Sequence, residues 1–286
     1  MTLRVLEEPY VGRLGDRLAG PTAAGARLYW LGQAGFVAEV GGRRIAIDPY
    51  LSDTLATKYA GAPYSHKRLS PPPVTPDDLG ALDLVLCTHH HTDHVDPGTL
   101  APLAQRLPSL RFIVPAASAA LARERAQVGS ERLIPLDAGE TVAPLPDLQV
   151  RALPAAHETI ERDESGRCRF LGYSFGCGPT SIFHSGDCAP YPGQIQDVAQ
   201  AAPTVALLPV NGRSEARRRA GFAGIFRVEE AIALCAEAGV KAMIAHHYGM
   251  FAFNTVDSQE IDDALAVAPI TALRAKPQVA WTLRVD

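Results

Sequence analysis

Apolar positions along this chain follow two rhythms. Runs of about four to eight apolar or alternating residues between turn signals mark strands, and repeats at three and four residues mark helices. In 27–48, RLYWLGQAGFVAEVGGRRIAID, two apolar segments flank Gly41-Gly42. Adjacent glycines supply the positive φ angles of a type I′ turn, so a hairpin ending at Asp48-Pro49 is predicted. Further strands are predicted at LDLVLCT (82–88), RFIV (111–114), LQVRALPA (148–155) and the pair FLGYSFGC (170–177) and TSIFHSGD (180–187). TVALLPV (204–210), VKAMIAHHYG (240–249) and QVAWTLRV (278–285) complete the set. Helical spacing occupies 117–127, 227–239 and 257–268, with Gly239 placed to end the second of these. Asp96-Pro97 reads as an N-cap followed by proline at the first helical position. Residues 1–26 show no clear period and read as an irregular lead-in. Residues 52–80 carry prolines at 71, 72, 73 and 76 and read as a long loop.

These elements divide loosely into two halves, each with strands first and helices later. Two sheets packed face to face, with helices outside, would bury all the apolar strands, which makes the fold class α/β. With no low-complexity segment and no linker, residues 1–286 are expected to form a single domain.

Composition narrows the picture. Apolar residues make up 47% and charged residues 20%, as in ordinary globular proteins. A net charge of −4 argues against a nucleic-acid-coating surface. No run approaches the roughly 20 apolar residues of a membrane span, and the N-terminal MTLRVLEEPYV has no apolar core of a signal peptide. The five cysteines form no CxxC pair, so reduced thiols and a cytoplasmic location are expected.

One stretch departs from the average. CTHHHTDHVD (87–96) holds four of the nine histidines and two aspartates, between the end of a buried strand and the start of a helix. Open α/β sheets bind ligands there. Alternation along an extended segment puts His89 and His91 on one side and His90 on the other. The bend toward the helix would bring Asp93 and His94 back to the same cavity. Imidazole and carboxylate ligands suit zinc, manganese or iron. Other predicted strand ends offer further ligands: His157, Asp187, and His246 or His247.

His89-x-His91-x-Asp93-His94, followed by His157, Asp187 and His247, resembles the metallo-β-lactamase-fold hydrolase superfamily, and Asp48 matches its first motif. WLGQAGF, DLVLCTHHHTDHVD, FHSGD, LLPVNGR and HHYGMFAFNT resemble its L-ascorbate-6-phosphate lactonase branch, across residues 30 to 255. The resemblance implies a four-layer αββα sandwich with two divalent metal ions, zinc or manganese first, iron or nickel next. His89, His91 and His157 would bind one ion. Asp93, His94 and His247 would bind the other, and Asp187 would bridge them. His246 competes with His247, which is preferred because Tyr248-Gly249 follows it. Some members of the branch lack the histidine corresponding to His157, so its presence here sets the chain nearer the general pattern.

The expected chemistry is hydrolysis by hydroxide generated on the metal, since a bound cation lowers the pKa of water from about 15.7 to about 7. Asp93 would orient that hydroxide. Asp48 would hold a ligand imidazole or cap the turn before Pro49. His184 would support the centre or simply pack in its strand, and Cys188 would approach a metal or fill space. Arg213 would grip a phosphate or carboxylate of the substrate or hold its own loop, with His246 and Tyr248 as further substrate contacts. Arg217, Arg218 and Arg219 read as a solvated face. The 52–80 loop, with Tyr64, His66 and Lys67, would cover the cleft. The favoured function is a lactonase on a small, phosphorylated or unphosphorylated molecule. The alternatives are a phosphodiesterase or nuclease, and a di-iron redox or metal-binding protein. A small-molecule substrate, no nucleic-acid or membrane partner, and a homo-oligomer complete the expectations.

Overall fold

A computed structural model describes residues 2–23 and 25–285. β1 (Leu3–Pro9) leads into the short helix α1 (Leu14–Leu18), and β2 (Ala26–Gly32), β3 (Gly35–Val40) and β4 (Arg43–Ile47) form a meander. α2 (Thr54–Lys58) lies in the proline-rich segment, followed by β5 (Leu84–Leu86), α3 (Pro97–Arg106), β6 (Arg111–Pro115), α4 (Ala119–Ala126) and β7 (Leu133–Leu136). The second half runs through β8 (Thr141–Leu145), β9 (Leu148–Pro154), β10 (Leu171–Cys177), β11 (Thr180–His184), α5 (Gln194–Ala201) and β12 (Val205–Pro209). It continues with α6 (Glu215–Arg219), α7 (Val228–Ala238), β13 (Ala242–His246), α8 (Ser258–Ala266), β14 (Thr271–Arg274) and β15 (Val279–Val285).

The strands form two sheets, ordered β1-β15-β2-β3-β4-β5-β6-β7 and β14-β13-β12-β11-β10-β9-β8. Period-two alternation sorts the first sheet's residues between its faces. Leu28, Phe36, Ile45, Leu84 and Leu86 point into a core shared with Val150, Phe175, Leu207 and Ile244 of the second sheet. Tyr29, Val37, Ala46 and Val85 point the other way, onto Leu100 and Leu103 of α3. Helix α7 covers β12 and β13 on the far side of the second sheet. The result is the αββα sandwich expected from the sequence.

The hairpin turns at Gly41 and Gly42, with φ of 57° and 72°. Asp96 caps α3, its side chain accepting from Gly98 N, with Pro97 first in the helix. The lead-in is not irregular. β1 pairs antiparallel with β15, Leu3 opposite Val285 and Pro9 opposite Val279. It is a half-exposed edge strand whose partner lies at the other end of the sequence, so no local period announces it. Buried Arg44 ties this region down, bonding to Glu39 Oε1 at 2.7 Å, Leu18 O at 2.6 Å and Gly20 O at 3.1 Å. None of the described helices is long and apolar enough to cross a membrane.

Candidate metal centre

Strand direction brings the site together. β4 and β5 are parallel, as are β11, β12 and β13. Asp48 follows β4, His89 to His94 follow β5, His157 follows β9, Asp187 follows β11 and His247 follows β13. All of them leave the C-terminal ends of their strands on one edge of the sandwich, where α/β sheets bind ligands.

The ligand-type atoms form three clusters: His89, His91 and His157; His89, His94 and Asp187; Asp93, His94 and His247. Within each cluster the atoms lie within 4.8 Å of one another. His89 Nε2 is 3.0 Å from His91 Nδ1. His94 Nε2 is 3.5 Å from Asp187 Oδ2 and 3.8 Å from Asp93 Oδ2, and His247 Nε2 is 3.0 Å from Asp187 Oδ1. All seven residues expected from the sequence therefore meet at one place. The route differs in detail. Residues 91–95 turn back on themselves, with Val95 N donating to His91 O at 2.9 Å, so His90 also reaches the cavity wall.

Electrostatics sorts the imidazoles. Burial holds the pKa of His89 well below the ordinary range, and the neighbouring imidazoles add to the effect. Burial lowers His91, and lowers His157 to about 4. These three rings are neutral at neutral pH, as ligands must be. His94 goes the other way. Burial opposes its charge, but Asp187, Asp48 and Asp93 together raise its pKa well above the ordinary value. The Asp187 carboxyl is held well below its usual range: burial would raise it, and His247 and His94 outweigh that.

A relay beneath the centre fixes two ring tautomers. Asp48, fully buried, accepts from Thr88 N at 2.8 Å and Thr88 Oγ1 at 2.6 Å. A carboxylate only accepts, so His94 Nδ1, 2.7 Å from Asp48 Oδ2, carries a proton. The Thr88 hydroxyl, having donated to Asp48, accepts from His89 Nδ1 at 3.0 Å. With both Nδ1 protons held beneath the centre, Nε2 is the atom of each ring that a cation would take, displacing from His94 the second proton that its carboxylate neighbours favour, and this is the usual outer support of a metal-binding imidazole. His184 fixes the next loop, with Nε2 2.8 Å from Ala34 O and Nδ1 accepting from Gly186 N at 3.0 Å. At Gly186 (φ 62°) a Cβ would sit 2.8 Å from Thr88 Cβ, so only glycine fits there.

The sequence reading missed Thr88 and Gln33. Gln33 Nε2 lies 3.2 Å from Asp93 Oδ2 and 3.1 Å from His247 Nε2, while the Gln33 backbone carbonyl accepts from His247 N at 3.0 Å. An amide in the tip of an otherwise apolar hairpin was the available signal. Gln33, Asp48 and His247 all adopt left-handed backbone, with φ of 49°, 43° and 65°. Such strain collects at functional sites.

Three expected substrate contacts lie elsewhere. Arg213 is engaged by Glu230, with Nη1 2.7 Å from Oε2 and Nη2 on Oε1, and it does not line the cavity. The loop-holding alternative is the one its geometry fits. His246 is buried behind the site, stacked on His184 at 4.8 Å. The Tyr248 ring stacks on Trp30 at 5.2 Å, and its hydroxyl bonds Arg274 and the Ala275 carbonyl. Alternation explains the last two, since a strand end that aims His247 inward turns its neighbours away, whereas Arg213 follows β12 and is drawn off by Glu230. Cys188 is a packed thiol, accepting from Gln194 Nε2 at 3.2 Å, and burial raises its pKa to about 12. Arg218 and Arg219 pair with Glu215 on the surface, while Arg217 reaches back to the Asn211 and Thr255 carbonyls. The cavity in front of the centre measures about 570 Å³, and Lys58, Arg125, Tyr64 and Phe222 line it beside Asp93 and Asp187.

Comparison with known proteins gives the family. The profile of the beta-lactamase superfamily domain matches residues 43–248. A metal-dependent hydrolase from Myxococcus xanthus is 30% identical over 242 residues, covering 82% of this chain and 74% of that protein. The solved structure of a metallo hydrolase from Ignicoccus hospitalis has a TM-score of 0.66 at 20% identity, covering 91% of this chain and 99% of that one. The fold is also similar to that of a diiron β-hydroxylase from Streptomyces venezuelae, with a TM-score of 0.66 at 18% identity, covering 92% of this chain and 55% of that one. The chain belongs to the metallo-β-lactamase-fold superfamily of metal-dependent hydrolases.

Proposed function

We propose that this protein is a binuclear metallohydrolase that opens an ester or lactone C–O bond in a small molecule. The observation that carries the reading is the convergence of seven histidine and aspartate side chains from four strand ends on one cavity edge. His89, His91 and His157 would hold one divalent cation, Asp93, His94 and His247 the other, and Asp187 would face both. The residues fit such an occupant. His94 Nε2 and Asp187 Oδ1, both turned to the cluster, are buried and have no hydrogen-bond partner, a costly state that a cation relieves. A mixed imidazole and carboxylate set suits zinc or manganese. When bound, the metal ions would lower the pKa of a water molecule to about 7 and polarise the carbonyl under attack.

The protein groups supply orientation and proton handling. Gln33 holds Asp93 in place at 3.2 Å, so this carboxylate is the group to receive the proton of the attacking water. The Asp48–Thr88 relay keeps His89 and His94 in their ligand tautomers. Lys58 and Arg125 give the cavity rim positive charge, suited to a phosphate or carboxylate on the substrate. Tyr59, Tyr64 and His66 from the 52–80 segment stand over the cavity, which supports its role as a cover.

The test is a hydrolysis screen on purified protein stripped by chelation and then reloaded with zinc or manganese, using sugar lactones, simple esters and phosphodiesters. Lactone or ester opening that vanishes on stripping and returns on reloading is expected. Turnover of phosphodiesters alone would replace this reading with the phosphodiesterase one, and activity that survives full demetallation would contradict both.

A further inference from the structure

Six rings face the cavity opposite the metal-ligand residues, from three separate segments. Tyr59, Tyr64 and His66 come from the 52–80 segment, Phe222 from the α6–α7 connection, and Phe251 and Phe253 from the loop after β13. They form one connected wall. Tyr59 stacks on His66 at 4.2 Å, His66 meets Phe253 at 4.8 Å, Phe253 meets Phe222 at 4.6 Å, and Phe222 meets Tyr64 edge-on at 4.9 Å.

Core packing accounts for only part of this wall. Phe251 is 2% exposed and packs with Tyr50, Leu55 and Met250. The others keep open faces: Tyr64 is 40% and Tyr59 37% exposed, and Phe222 and Phe253 are half-buried. Apolar surface held open in this way, continuous with a reactive centre, marks a binding site rather than a stability device.

Charge decides what the wall is for. Among the described residues lining the cavity, the carboxylates are Asp93 and Asp187, both on its floor with the metal-ligand histidines, and the charged side chains of the rim are Lys58 and Arg125. An aromatic cage for an ammonium group would carry acidic neighbours; here the neighbours are cations. His66 adds a flat ring whose Nδ1 is occupied by Tyr64 O at 3.0 Å, and burial keeps it neutral.

We propose that this wall is the apolar subsite of the substrate, so that the molecule cleaved is an ester or lactone bearing an uncharged apolar group of about phenyl size, with any anionic group directed to Lys58 and Arg125. This rests on the ester or lactone reading given above. A bare sugar lactone would leave the rings facing water.

The experiment separates the two ideas by measuring binding as well as turnover. Acetate and 4-phenylbutyrate share the carboxylate head expected of a product and differ in apolar bulk. Isothermal titration of the metal-loaded protein should show 4-phenylbutyrate binding at least about tenfold tighter than acetate, from burial of the ring. That ratio should fall toward one in the Phe222→Ala/Phe253→Ala double variant, and part of the way in Tyr64→Ala, which alters an exposed side chain and so serves if the double variant does not fold. A ratio near one in the wild-type protein, or an unaltered ratio in a folded double variant, overturns the proposal. Turnover of γ-phenyl-γ-butyrolactone against γ-butyrolactone is measured separately. If neither is opened while the binding ratio holds, the lactone reading fails and the subsite stands. If both are opened equally well, the subsite fails alone.

Discussion

Replacing Asp48 by asparagine tests the relay under the metal centre. The substitution keeps the side-chain shape, and asparagine tolerates the left-handed backbone (φ 43°) at this position. It removes one negative charge and changes the hydrogen-bonding. Asp48 accepts three bonds, from Thr88 N, Thr88 Oγ1 and His94 Nδ1, at 2.8, 2.6 and 2.7 Å. An amide offers one accepting oxygen and one donating nitrogen. If the oxygen stays with Thr88 N, the amide NH₂ faces His94 Nδ1, which can accept only by moving its proton to Nε2. Nε2 is the atom aimed at Asp93 and Asp187, and once protonated it cannot bind a cation. If the amide flips, its NH₂ opposes the Thr88 N–H, leaving buried donors face to face. Losing such an outer contact costs about 10- to 100-fold in metal affinity, or about 1.4 to 2.7 kcal/mol. Metal-free stability should fall by about 1.5 to 3 kcal/mol as a bond to a charged acceptor is lost. Zinc titration against a chromophoric chelator measures the first quantity, and denaturant unfolding of the stripped protein measures the second. If Asp48→Asn binds two equivalents of zinc at wild-type affinity, and nitrogen NMR shows the His94 tautomer unchanged, the relay has no such role.

Two further expectations follow from the same geometry. Arg213→Ala removes a half-buried two-point contact with Glu230, so it should lower the melting temperature and leave KM for the substrate where it was; a raised KM with unaltered stability would return Arg213 to the cavity. For pH, the metal-free protein should lose stability as pH falls below about 6.5, the unfolded histidine value. Burial lowers His89 and His91, and lowers His90 and His157 to about 4, so in that window the unfolded chain binds more protons than the folded one. Depressed Asp187 acts with the same sign, while raised His94 opposes it with stability that is fully present below about 6.5 and lost as pH rises. A melting temperature that climbs on acidification of the stripped protein would contradict this balance.

The sequence carried the centre more clearly than the fold around it. Each ligand candidate stands at the end of a strand whose apolar run is visible locally, so His89, His157, Asp187 and His247 could be found without knowing which strands are neighbours. β1 escaped because it pairs with the far end of the chain, and β14 because it is four residues long, and both have half-open faces. β7 and β8 are short and weakly patterned, and α5 is amphipathic but only eight residues long. The substrate contacts failed for another reason. Tyr248 was placed by nearness in sequence to His247, but side-chain direction alternates along the chain, and Arg213 was placed by its position just past a strand end, which does not fix where its side chain points. Glu230 and Arg274, which occupy them, come from elements that only the folded chain brings close. Thr88 lay within the quoted cluster, yet its part depends on Asp48 reaching across from the neighbouring strand.

Anomalous X-ray diffraction from crystals of the zinc-loaded protein tests the central claim most directly. The account predicts two peaks on the cavity floor, one among His89, His91 and His157 and one among Asp93, His94 and His247, with Asp187 between them. Peaks located away from these side chains, or fully loaded protein whose zinc sits only at surface sites, would contradict it.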